Sequence, residues 1–313
     1  MPDIVVMFFL LGLVAGVLKS DLNIPKAAYD TLSLLLMLTI GLKGGMALYG
    51  NLRWSLLPEL LAVAALGAVI PLALMPVLRR LVRLSPADSA SIAAHYGSVS
   101  AGTFAVALAF AESRALPIGA EVTLYLVMME LPAIMVAIAL YRRHKGSDSS
   151  EALQGIWHET LTNRGVILLA GGAVIGAMYG PAQGTAVTEL FLGAFHAVLA
   201  LFLLQMGLTA AETLRPIPWF HWRLLTFALV VPFILAMAGM AVGLALGLPT
   251  GSLMILTALA ASASYIAAPA AMRTAIPEAN IGLAMLAALG FTFPLNVIIG
   301  IPLYHQLIQW LAG

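Results

Sequence analysis

The sequence predicts an all-α polytopic membrane protein of ten transmembrane helices, built as two inverted five-helix copies. Three observations predict this class: an apolar composition, ten apolar stretches with little between them, and an internal likeness between the two halves. Of 313 residues, 62% are hydrophobic and 9% charged, and the mean hydropathy is +1.01. Soluble domains are about a quarter charged, so this chain cannot coat a water-soluble particle and lipid must be its main solvent. A net charge of +1 provides no field for nucleic acid. With no cysteine, disulfides, thiol catalysis and Cys-ligated metal sites are excluded.

A spanning helix needs roughly 20 apolar residues. Hydropathy, Pro/Gly punctuation and charged islands place spans near 4–18, 28–47, 57–78, 87–111, 117–141, 164–180, 187–211, 222–247, 250–276 and 280–311. No charged and cleavable leader precedes the first, so Ile4 to Leu18 reads as a retained helix, with a signal anchor as the alternative. The one long polar connection runs from Arg142 to Asn163. It divides the chain into a first repeat (1–141), a linker (142–163) and a second repeat (164–313).

Lys and Arg set the orientation. With the N-terminus outside, the inward connections collect Lys19, Lys26, Arg79, Arg80, Arg83, Arg142, Arg143, Lys145, Arg164, Arg215, Arg223 and Arg273. Only Lys43, Arg53 and Arg114 of the 15 basic residues fall outside. The bias predicts both termini on the periplasmic side of a bacterial inner membrane and a cytoplasmic linker.

The halves match at a shift near 166 residues. Ile40-Gly41-Leu42 is echoed by Met206-Gly207-Leu208, and Ser98 and Glu112 by Ser264 and Glu278. At slightly different shifts Leu131-Pro132 matches Phe293-Pro294, and Ile70-Pro71 matches Val231-Pro232. Because each half has an odd number of spans, the second copy enters the membrane from the opposite side. Inverted repeats mark alternating-access carriers, with substrate held at the midplane between the copies.

Polar groups and broken helices are expensive inside a bilayer, so their positions are informative. The fourth span reads His95-Tyr96-Gly97-Ser98-Val99-Ser100-Ala101-Gly102-Thr103, and its counterpart in the ninth reads Ala261-Ser262-Ala263-Ser264-Tyr265-Ile266-Ala267-Ala268-Pro269. Both are expected to unwind at mid-membrane, leaving two helix N-termini whose free N–H groups make a cradle for an anion. The plainer alternative is that small residues here only let helices pack closely. A second constellation is Glu130 with Pro132 in the fifth span, expected to face Thr292, Pro294 and Asn296 in the tenth. Glu130 is the carboxylate well inside a span, whereas Asp30, Glu112, Glu121 and Glu278 lie near ends. Carboxylate, amide and hydroxyl oxygens suit a hard cation such as Na⁺. The alternatives are a protonated structural glutamate and an Asn296 that only bridges helices.

Lys43 reads as snorkelling, His95 as a core histidine beside the break, and His196 as interhelical glue. Arg273 either pairs with Glu278 or snorkels to the surface. His158-Glu159 lacks the second histidine of a zinc motif, and Gly97-Ser98-Val99-Ser100 lacks the closing glycine of a nucleophile elbow. No Walker loop is present, so the reading is a carrier and not an enzyme or pump. No cofactor is expected beyond Na⁺ as a coupling ion.

The run His95 to Phe104 resembles the fourth-span motif of the sodium-dependent bicarbonate transporters (the SbtA-like family). So do Ala261 through Asn280 and the stretch Gly290-Phe291-Thr292-Phe293-Pro294-Leu295-Asn296 with Gly300-Ile301-Pro302-Leu303-Tyr304. The resemblance implies a five-plus-five fold with core and gate domains, elevator-like motion, a homotrimer, and uptake of bicarbonate or a similar small anion with Na⁺. It also implies a PII-like cytosolic regulatory protein as partner. Carried onto this chain through the repeat, Ser98, Ser100, Gly102, Thr103, Ser262 and Ser264 surround the anion. Tyr96, Glu130, Thr292 and Asn296 form the Na⁺ neighbourhood. Two alternatives remain open here: a cation/proton exchanger of the same plan, and a membrane sensor that binds the anion without moving it.

Overall fold

The computed structural model describes residues 3–51, 53–145, 162, 164–183, 185–214 and 221–312, and among them every regular element is helical. Most of the expected linker, residues 146–161 and 163, and the basic residue Arg215 lie outside the described residues. Eight helical stretches are long and apolar enough to cross a membrane, and Ile4–Val17 and Thr250–Ala260 are shorter apolar helices.

α1 (Ile4–Val17) starts where the Asp3 carboxylate accepts from the Val5 N–H at 3.0 Å, a side-chain N-cap. α2 covers Lys26–Leu48. α3 covers Leu56–Val77 and widens into a π turn at Leu78–Val82, which ends on Arg83 at φ 65°. α4 (Pro86–Gly97) opens with Ser85 accepting from Asp88 N and with proline at its first position, where no N–H is needed. α5 follows at Ala101–Ser113.

α6 is Leu124–Lys145, several residues later than the expected 117. The cause lies in the preceding backbone, which is held by another element. Gly119 N donates to Ser252 Oγ at 2.7 Å, and Pro117 O accepts from Gly251 N at 2.9 Å. At its far end α6 runs on through Arg142, Arg143 and Lys145, cations that suit a helix C-terminus.

The second half contains α7 (Arg164–Gln183, kinked at Gly180), α8 (Thr185–Thr213) and α9 (Trp222–Ala245). α10 (Thr250–Ala260) and α11 (Ala267–Ala275) are separated by an irregular stretch. α12 spans Ile281–Leu311, capped by the Asn280 side chain, with π turns at Leu286–Thr292 and Asn296–Gly300. The fourth and ninth expected spans are thus each two helices with a break between them. In the ninth, the break covers 261–266 and precedes Pro269, which sits in the first turn of α11.

The helices sort into two groups. In one, α1 packs along α8 and α2 along α7, with α2 also touching α8. In the other, α3, α4 and α6 pack together, as do α9, α10, α5 and α12. Each long pair of the first group closes over small residues. On α1 and α8 these are Gly12, Gly16, Gly207 and Ala211; on α2 and α7 they are Gly41, Gly45, Gly172 and Gly176. A Cβ added at Gly45 would stand 2.0 Å from Ala173 O, and one at Gly207 2.2 Å from Phe9 O. Dispersion at such close backbone approach holds helices together in lipid, where apolar burial gives little driving force between them. The interrupted stretch Pro86–Ser113 is the most enclosed, with 94% of its apolar window buried against 28% for α7.

Polar links tie the ends. Asp30 pairs with Arg164 at 2.9 Å, and Lys43 pairs with Glu112 while resting 4.9 Å from the Phe195 ring centre. Glu278 is bound by Tyr141 and by Lys145 (2.7 Å), so the alternative of an Arg273 partner is not the arrangement adopted. The Lys145 ammonium and the Tyr141 hydroxyl hold the Glu278 carboxyl down to about 2, leaving it ionised at any pH a cell meets.

Gly45→Ala and Gly207→Ala should each destabilise the protein by about 1–3 kcal/mol through overpacking, read as a lower melting temperature in detergent. Gly171 has open space where its Cβ would go, so Gly171→Ala should leave the melting temperature unchanged or raise it. Equal behaviour of all three would refute the seam.

Candidate functional site

Between α4 and α5 the chain is extended. Ser98 has φ −82°, ψ 138°, and Ser100 has φ −96°, ψ 116°. The break of 261–266 crosses it, and the two are tied together through backbone and serine hydroxyls. Ser264 N–H donates to His95 O at 2.7 Å and to Ser98 O at 3.1 Å. Ser100 N–H donates to Ser262 Oγ at 2.9 Å, and that hydroxyl donates onward to Leu259 O at 2.7 Å. A buried backbone donor left unmatched costs about 1–3 kcal/mol, and here each break supplies what the other lacks.

Two helices begin at this crossing. In α5, Ser100 Oγ accepts from Thr103 N at 3.0 Å and Ser100 O from Phe104 N at 2.9 Å. That leaves the first two amides of the helix, Ala101 and Gly102, with no intrahelical acceptor. In α11, Ser264 Oγ accepts from Ala268 N at 3.2 Å. The N-terminal dipole ends of both helices add positive potential to the crossing. Gly102 is a close-approach position, since a Cβ there would lie 2.0 Å from Tyr265 Oη and 3.2 Å from the Phe202 ring.

Beside the crossing is an enclosed space of about 20 Å³, the scale of one water or a monatomic ion. Ser100, Ala101, Ser264 and Tyr265 line it with Glu130 on one side, and Met37, Gly165 and Leu169 close the other. Glu130 Oε1 is buried with no hydrogen-bond partner, as are Ser98 Oγ and Thr103 Oγ1 nearby. Buried polar atoms are almost always paired, so an unpaired carboxylate oxygen on this cavity makes it a candidate binding place.

The residues expected around a cation are distributed over three places. Thr292 Oγ1 donates to Ala228 O at 3.0 Å, so its contact with Tyr96 at 2.6 Å must be Tyr96 donating and Thr292 accepting. Asn296 Nδ2 donates to Ala261 O at 2.6 Å, and its Oδ1 accepts from Tyr304 at 2.8 Å. Glu130 lies in the small cavity with Ser100 and Ser264. Ser98, Ser100, Gly102, Thr103, Ser262 and Ser264 all belong to the two crossed breaks or the first turn of α5. His95 is fully buried, with Nδ1 on Ser91 O at 2.7 Å. His196 packs against the Phe195 ring at 5.3 Å. Among the described residues no three His, Asp or Glu side chains converge as a metal site.

Sequence reasoning did not single out Met37, Gly165 and Leu169 as walls of the cavity, and apolar residues in apolar helices carry no signal of that role. Tyr265 was legible, as the tyrosine directly after Ser264 in the broken segment.

The helices and the buried, crossed helix ends define a multi-pass helical membrane protein. The chain belongs to the Na⁺-dependent bicarbonate transporter superfamily, whose family model matches residues 4–309. No curated protein matches it.

Gly102→Ala should lower the melting temperature, and Tyr265→Phe, which removes the clashing oxygen, should restore part of the loss. A coupling energy of about 0.5 kcal/mol or more in the double-mutant cycle is expected for such a contact; simple additivity would separate the two residues.

Proposed function

We propose that this chain carries bicarbonate into the cell together with Na⁺ by alternating access. The observation that supports the reading best is the position of the unpaired polar atoms. Glu130 Oε1 lies on a cavity beside the crossing of the two broken helices, whose far wall belongs to the other helix group, while Ser98 Oγ and Thr103 Oγ1 sit on the break itself and in the first turn of α5. The anion is held by the amides of Ala101 and Gly102 and by hydroxyls of Ser98, Ser100, Thr103 and Ser264, with Ser262 holding the Ser100 backbone in place beside them. Glu130 brings a carboxylate to the same space, and the Na⁺ neighbourhood extends from it toward Tyr96, Thr292 and Asn296.

Ten spans in two inverted five-helix copies account for the packing. Exchanging the copies turns the α1–α8 pair into α7–α2, and the break of α4–α5 into that of α10–α11. The α1, α2, α7, α8 group serves as the gate and the remaining helices as an elevator-like core. Met37 and Leu169 offer the core an apolar face with no hydrogen bond to break on sliding. A hollow of about 680 Å³ between α2 and the 117–123 segment gives an approach from the outer side, with both termini periplasmic. The cavity of about 20 Å³ is too small for bicarbonate, so loading requires the gate and core to part.

The test is ¹⁴C-bicarbonate uptake into proteoliposomes, corrected for CO₂ leak, with and without an inward Na⁺ gradient. Na⁺-stimulated accumulation is expected. Ser98→Ala should raise the bicarbonate KM by about tenfold or more, since a hydrogen bond to a charged group is worth about 1.5–3 kcal/mol. Glu130→Gln should weaken the dependence on Na⁺. Uptake that ignores the gradient, or is untouched by both substitutions, sinks the reading. Proton flux without bicarbonate would replace it by a cation/proton exchanger, which the unpaired Glu130 oxygen also favours.

A further inference from the structure

We propose that the groove between the end of α3 and the start of α9 binds an anionic phospholipid. The groove holds about 460 Å³ and has two unlike ends. Its walls are apolar and turned outward: Leu81 is 69% exposed, Ile234 60% and Val230 48%. Its rim carries Arg80, Arg83 and Arg223. Trp222 stands beside them, 59% exposed, with the Arg223 guanidinium 5.4 Å from its ring centre.

Among the described residues the charge at this rim has no acidic counterpart. No Asp or Glu lines the groove or the two hollows adjoining it, which add Arg79, His144 and His221. Among the described residues none of Arg80, Arg83 and Arg223 forms an ion pair. Elsewhere the chain does neutralise its ends, as Asp30 with Arg164, Glu112 with Lys43 and Glu278 with Lys145 show. Three arginines in one place, with no acid among the described residues lining the groove, suit an anionic occupant.

The apolar walls identify which anion. Val230 and Ile234 lie in the body of a 24-residue span, at a depth where the neighbour is hydrocarbon. An occupant with a phosphate at the rim and acyl chains along α9 satisfies both ends, whereas a soluble phosphate leaves the walls unused. Basic pockets between transmembrane helices are the expected seats of anionic head groups, and an exposed tryptophan at the rim fits the interfacial zone. Arg83 is held at the turn by its left-handed backbone (φ 65°) and by Leu84 N bonding back to Leu78 O at 3.1 Å. The turn thus presents the arginines on fixed backbone.

The test uses the purified full-length protein, titrated with phosphatidylglycerol or phosphatidylcholine of identical chains and read by native mass spectrometry. Wild type should retain phosphatidylglycerol in clear preference. Arg80→Gln/Arg83→Gln/Arg223→Gln should lose about a hundredfold in affinity for it, the loss that three arginines near a membrane surface carry. Ile234→Trp keeps the cations and fills the groove, so it should lower retention of both lipids; it also covers the case in which the triple variant does not fold. Unchanged phosphatidylglycerol retention in either variant overturns the proposal. Competition by glycerol phosphate as effective as that of the intact lipid would reassign the rim to a soluble phosphate.

Discussion

Backbone hydrogen bonding in a water-free interior is the constraint on which the rest of this structure depends. Breaking a helix at mid-membrane frees N–H and C=O groups that lipid cannot satisfy. This chain breaks two helices and lays the breaks across each other. Ser264 N finds His95 O and Ser98 O, Ser100 N finds Ser262 Oγ, and Ala261 O is met by Asn296 from α12. Neither break could persist alone at this depth without several kcal/mol of unmatched polar groups. The serines belong here because a short hydroxyl both donates and accepts, and Ser262 does both in the same place.

The two breaks are bonded to each other, and the wall beside them is of a different kind. The described wall of the cavity on the α2–α7 side is Met37, Gly165 and Leu169, and contact there is mostly dispersion, which is weak per atom and indifferent to register. Within the four-helix group the opposite holds. Glycine seams bring backbones into direct contact at Gly45 and Gly207, and interdigitation at that distance permits no sliding. Side-chain volume thus differs between the two places: none at the glycine seams, large and apolar at Met37 and Leu169.

Much of this could be read from sequence, for a physical reason. Serine and glycine runs in an otherwise aliphatic chain are conspicuous, so Ser98, Ser100, Ser262 and Ser264 announced the two breaks. The equivalence of Gly41 and Gly207 was visible too, although their role as seam residues needed the partner helices. What could not be read depends on which face a side chain takes. Asn296 was singled out in sequence as a cation ligand or an interhelical bridge, and the bonds of its amide to Ala261 and Tyr304 depend on which face of the helix it takes. Glu130 lines the cavity with Ser100 and Ser264, a placement that hydropathy does not encode. The late start of α6 is equally silent, because the groups that hold residues 117–119 come from Gly251 and Ser252, over a hundred residues away.

The composition of the cradle bears on coupling. No lysine or arginine lines the cavity; the donors there are amides, hydroxyls and helix ends, which hold an anion more weakly than a buried cation would. Weak holding suits a carrier, which must release what it binds. On the proposed reading the anion's charge would stand beside Glu130, and with that side chain ionised two negative charges in a low-dielectric space repel strongly. A cation entering the same space removes that repulsion and offsets the desolvation cost of both anions at once. On the proposed reading a cation in this space therefore eases binding of the anion, and the two ions are expected to load together.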